Sequence, residues 1–159
     1  MDAAEKSLRH WLVWLLDGGG AHVDFDTAVR GLPVKLRGTR APNLPHTAWQ
    51  LLEHMRLAQW DILDFSRNPK YQPLPWPEGY WPKSEAPARG DWEKSVRAFH
   101  ADLQAMISLV KNPRTDLHAR IPWGDGQTIL REALLLADHN AYHLGQLVQV
   151  RRALGAWKG

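Results

Sequence analysis

Residues Thr128 to Leu154 read TILREALLLADHNAYHLGQLVQVRRAL, and this stretch decides the fold. Apolar side chains recur every three or four positions, as on an amphipathic helix. Ile129, Leu136, His139, His143, Leu147 and Val150 form its stripe. The start falls between Asp125 and Thr128, both good N-cap residues, and Gly155 closes the helix after Leu154. A helix of this length has to bury its stripe against partners, so the rest of the chain must supply them.

Three further segments carry the same period. The first, Asp2 to Asp17, aligns Ala4, Leu8, Trp11, Leu12 and Leu15 and ends at Gly18-Gly19-Gly20. The second begins between Asn43 and Thr47 and runs to Arg67, with Leu51, His54, Leu57, Ala58, Ile62 and Phe65 on its face. Thr47 and Gln50 have capping-box spacing, and Pro45 suits the start of a helix. The third runs from Asp91 as N-cap to Asn112, with Val96, Phe99, Leu103, Met106, Ile107 and Val110 inward, and Asn112-Pro113 stops it. Residues 24–30 suit a helical turn. Strand signals are weak: Val34-Lys35-Leu36 could pair, and no alternating hairpin occurs.

The spacing of these helices predicts their topology. Residues 68–90 lie between the second and third and carry Pro69, Pro73, Pro75, Pro77, Pro82 and Pro87. Antiparallel neighbours need only about 2–8 linking residues. A Pro-rich segment is extended and semi-rigid at about 3.1 Å per residue, enough to run back along a helix of about 33 Å. The expectation is an all-α four-helix bundle, up-down-down-up, with a long Pro-rich crossover between its second and third helices.

Composition sets the class. The 159 residues suit a single domain, 1–159, and an apolar share of 44% excludes disorder as the main state. No apolar run approaches the roughly 18 residues of a membrane span. The N-terminus lacks the basic-then-apolar pattern of a signal peptide, so the chain reads as cytoplasmic. With no cysteine, disulfides, thiolate metal sites and a cysteine nucleophile are all excluded. Net charge is +3, from 20 basic and 17 acidic side chains that alternate along the chain, which argues against a nucleic-acid partner. Nine Trp and eight His are the unusual counts.

His139 and His143, four apart on one helix, have Cβ atoms about 5–6 Å from each other. Two imidazoles at that spacing can converge on one metal ion. They can equally be core histidines satisfied by backbone carbonyls. His54 sits on the apolar face of the second helix, and bundle sites are built from inward side chains on facing helices. Together the three would supply three neutral nitrogen donors.

These residues resemble the DinB/YfiT-like superfamily. The resemblance is carried by Leu51-Leu52-Glu53-His54 in the second helix and by Asp138-His139-Asn140-Ala141-Tyr142-His143-Leu144-Gly145-Gln146 in the last. It spans nearly the whole chain, and Trp76-Pro77-Glu78-Gly79-Tyr80-Trp81-Pro82 looks like a subgroup feature. The resemblance implies a four-helix bundle with a mononuclear metal site at His54, His139 and His143. Imidazole donors suit a divalent transition metal, with Zn or Ni preferred over Mg or Ca, and three protein ligands leave a position open for water or substrate. Characterised members include thiol-dependent S-transferases and a thiol-dependent maleylpyruvate isomerase. The implied activity is therefore transfer on a small-molecule substrate with an exogenous low-molecular-weight thiol. A hydrolase using metal-bound water and a non-catalytic, stress-related binding module are the alternatives.

Metal-bound histidines usually donate their second ring proton to a carboxylate or carbonyl. Asp61, on the same face as His54, is the first candidate for that role, followed by Glu53 and Asp138. Glu132 stands seven residues before His139 on the last helix. Trp76, Trp81 and Trp123 lie in connections and either pin coil onto the bundle or surround a substrate mouth. His46 is two turns, about 12 Å, before His54 and too far to share its metal; it reads as a capping or loop contact. His10 and His100 flank helix faces, and His22 and His118 fall in connections. Trp11 and Trp14 point to adjacent faces of the first helix, which suits a homodimer contact.

Overall fold

The computed structural model describes residues 1–157 and is all-helical, with no strand among them beyond an isolated bridge between Arg120 and Thr128. Its helices are α1 (Ala3–Leu16), α2 (Phe25–Val29), α3 (Ala48–Arg67), α4 (Asp91–Lys111) and α5 (Ile129–Ala153). The starts follow from local chemistry. Asp2, Asp24 and Thr128 cap α1, α2 and α5 by accepting from the backbone N–H of Glu5, Thr27 and Arg131. Thr47 and Gln50 form the full reciprocal capping box of α3. Gly155, at φ +66°, follows the C-cap Leu154 in the left-handed conformation that glycine adopts without steric cost.

Side-chain pairings give the helix directions. Glu53 and Gln59 of α3 meet Ser95 and Phe99 of α4 in the same order, so these two helices run parallel. His54 and Gln59 meet His143 and Asn140 in reverse order, so α5 is antiparallel to α3. Arg9 reaches Val110, while Leu16 and Leu103 border one small cavity, so α1 opposes α4. The order is up-down-down-up. Between α3 and α4 the chain meets α3 at successively earlier points: Tyr71 packs on Phe65, the Tyr80 carbonyl accepts from the His54 ring, and the Glu85 carbonyl accepts from the Thr47 hydroxyl.

The core is contributed by all four long helices. Leu51, Leu52, Met55 and Leu63 of α3, Phe99 and Met106 of α4, and Leu136 and Leu147 of α5 are essentially inaccessible to solvent. Each such side chain stabilises the fold by about 1.5–3 kcal/mol. Phe25 of α2 stacks on Phe99 at 3.7 Å, which ties the short helix to the bundle.

Three local expectations are corrected. Val34–Leu36 forms a 3-10 turn, started by Pro33 at φ −55°, and does not pair as a strand. The N-cap of α4 is Gly90, at φ +87°, while Asp91 is the first helical residue and its carboxylate accepts from the Ala88 N–H. In α1 the buried residues are Arg9, Leu12 and Leu16, and Trp11, Trp14 and Leu15 are exposed. Arg9 turns the helix. Its guanidinium donates to the carbonyls of Val110, Asn112 and Thr115 around the end of α4, where a cation also meets the negative end of the helix dipole.

Candidate metal centre

His54 projects from the middle of α3 toward His139 and His143, one turn apart on α5. The Nε2 atoms of His54 and His143 lie 3.1 Å apart, as do those of His139 and His54. One nitrogen from each ring falls within 4.8 Å of the others. The structure thus brings the three sequence-predicted histidines into one cluster. His54 and His143 are buried and His139 is partly so.

The tautomers of two rings follow from their neighbours. His54 Nδ1 is 2.7 Å from the Tyr80 carbonyl, which can only accept, so Nδ1 carries the proton and Nε2 a lone pair. His143 Nδ1 is 2.8 Å from Gln146 Oε1 and donates in the same way. Two lone pairs therefore face each other at 3.1 Å. His139 Nε2, 3.1 Å from His54 Nε2, can donate to one of these lone pairs, and a cation between the rings would engage both. Two nitrogens each about 2.0–2.1 Å from one tetrahedral ion are about 3.3 Å apart, so the spacing fits. His139 Nδ1 is buried without a hydrogen-bond partner.

Burial keeps the cluster neutral. It pushes His54 down to about 4, with the Tyr80 hydrogen bond opposing and His143 and His46 adding to the effect. It pushes His139 to about 4 as well, reinforced by the other two rings. His143 is lowered by burial, against the opposing pull of Gln146. Neutral imidazoles are the form that binds a metal.

The connection before α4 supplies the surroundings. Trp81 stacks flat on His54, with centroids 3.9 Å apart, and its other face carries His46 at 4.1 Å. His46 is thus a neighbour of the cluster through Trp81, and burial lowers its basicity. Asp61 accepts from the hydroxyls of Tyr71 (3.0 Å) and Tyr80 (2.8 Å). It touches no imidazole in the hydrogen-bond network and acts on His54 through Tyr80, whose carbonyl holds the ring. A cavity of about 340 Å³ opens beside the cluster, with His46 and Gln146 in its lining.

The remaining candidates lie elsewhere. Trp76 is 78% exposed and packs on Tyr80. Trp123 donates to the Phe65 carbonyl, eleven residues and about 16 Å along α3 from His54. Glu53 is engaged by Arg56 and Ser95, and Asp138 is exposed. Glu132 is buried against Arg131, and its desolvation raises its pKa. His100 pairs with Asp26, His118 lies 3.8 Å from Glu5, His22 donates to the Val23 carbonyl, and His10 packs on Trp11. Sequence reasoning missed Tyr80 and Gln146. Gln146 carried a legible signal, lying three residues after His143 on the same helix.

A family model described as the DinB superfamily matches residues 20–147. No curated protein and no solved structure matches the chain.

Proposed function

The chain belongs to the DinB superfamily, and on that premise we propose that it is a metal-dependent enzyme acting on a small molecule. In this reading His54, His139 and His143 hold one divalent transition metal ion, Zn or Ni, and an exogenous low-molecular-weight thiol is the co-substrate. The observation that supports it most is the pair of lone pairs opposed at 3.1 Å in a buried, neutral cluster. Three nitrogen donors suit Zn or Ni, and oxygen-seeking Mg or Ca poorly.

When bound, the ion supplies positive charge that favours a thiolate at neutral pH. The chain has no cysteine, so the sulfur comes from outside. The Tyr80 carbonyl and the Gln146 amide oxygen fix the His54 and His143 tautomers. Trp81 covers one face of His54 and excludes water from it. The reaction is a substitution: the sulfur bonds to an electrophilic carbon, the leaving group departs with the bonding pair, and the thiol proton passes to solvent.

The test is chloride release from 1-chloro-2,4-dinitrobenzene by zinc- or nickel-loaded protein, with cysteine, glutathione or no thiol. The reading expects release that needs both thiol and metal and is lost in His54→Ala. Cleavage of 4-nitrophenyl acetate without any thiol, together with inert behaviour toward thiols, would count for a hydrolase instead.

A further inference from the structure

The cavity beside the histidine cluster has no lysine, arginine or carboxylate in its lining, and burial makes its one imidazole, His46, less basic. Leu44, Leu51 and Val150 form apolar walls, and Gln146, Gln149 and Tyr142 supply uncharged polar groups. The nearby Arg40 is engaged by Glu85 and by the Pro45 carbonyl. A carboxylate or phosphate seated along these walls, away from the histidine cluster, would give up part of its water to apolar surface with no lysine or arginine of the lining to pair with, which is unfavourable.

Gly145 also lines this cavity, in the middle of α5. Glycine inside a helix destabilises it relative to alanine, so the position calls for a reason. The fold provides none. Gly145 is absent from the positive-φ glycines, and a Cβ built on it meets no atom within 4 Å. Gly38, by contrast, could not carry a Cβ, which would lie 2.3 Å from that of Ala86. Gly145 is exposed at the mouth of the cavity, so what a side chain there would occupy is the space of that mouth.

We propose that this cavity binds the substrate of the enzyme, an uncharged and largely apolar small molecule with one hydrogen-bonding group, and that Gly145 is the specificity-determining position that keeps it open. Only the placement of the ligand's reacting end rests on the metal-enzyme reading. Gln146 joins the two sites, lining the cavity while its Oε1 holds His143 Nδ1. At about 340 Å³ the space suits a two-ring molecule.

The test is isothermal titration of the full-length protein with 2-naphthamide and its charged isostere 2-naphthoate, with and without prior chelation. Parallel titrations use Gly145→Leu and Gly145→Ala. Expected are naphthamide binding that survives chelation, at least tenfold weaker naphthoate binding, and at least tenfold loss in Gly145→Leu. Gly145→Ala should fold with an equal or higher melting temperature. Equal affinity for the two ligands, undiminished binding in Gly145→Leu, or misfolding of Gly145→Ala would each overturn the proposal. Because binding is read on chelated protein, failure of the metal reading leaves a distinct signature: naphthamide binding intact and no metal taken up.

Discussion

Two buried polar clusters of this bundle behave in opposite ways. At the end of α4, Arg9 is 6% exposed and its guanidinium donates to three carbonyls, with Glu5 beside it. Donors and acceptors there match. At the α3–α5 interface His54 and His143 are equally buried, yet their neighbours turn two lone pairs toward each other, and His139 Nδ1 has no partner. Buried polar groups are nearly always satisfied, so an exception calls for an explanation. The first cluster is complete as architecture. The second leaves ring nitrogens unmatched where three histidines could hold a cation, and it adjoins the cavity.

Acid separates the clusters most strongly. In chelated protein, an unfolded histidine takes up its proton near 6.5 while folded His54 and His139 do so near 4. Between those values the unfolded chain binds more protons, so stability falls as pH falls and levels off below about 4. The loss should be on the order of several kcal/mol in total, followed by chemical denaturation at stepped pH. No such fall over that range would mean the imidazoles are not held neutral.

Next in size is Arg9→Ala, which strands the carbonyls of Val110, Asn112 and Thr115 at and just beyond the end of α4. It should cost about 3 kcal/mol and lower Tm by roughly 6–12 °C, with metal content unchanged. Loss of metal in this variant would show that the clusters are not independent. Smallest is Tyr80→Phe, which removes one of two hydroxyls on Asp61 and keeps the carbonyl on His54. It should cost about 1 kcal/mol and weaken metal affinity by less than tenfold, since that carbonyl belongs to the backbone. A competition titration against a chromophoric chelator checks it.

The comparison also shows what a sequence displays. Helix starts at Asp2, Thr47 and Thr128 were legible because a cap is a local event between residues three apart. His54, His139 and His143 were legible as inward side chains because each sits on an apolar stripe that must face another helix, and their meeting at one site was what the family resemblance implied. Arg9 was not, since its burial depends on carbonyls about a hundred positions away. The Tyr80 carbonyl could not be read either, because every residue has one. Among Trp76, Trp81 and Trp123, only the path of the connections decides that Trp81 lies against His54. Coil without periodicity carries no record of its path.

The most direct measurement is the metal content of untagged protein purified without chelators, beside His143→Ala prepared identically. The account predicts about one equivalent of Zn or Ni in the parent and its loss in the variant. Full metal content in His143→Ala, or no uptake by the parent after reconstitution with both metals, would contradict it.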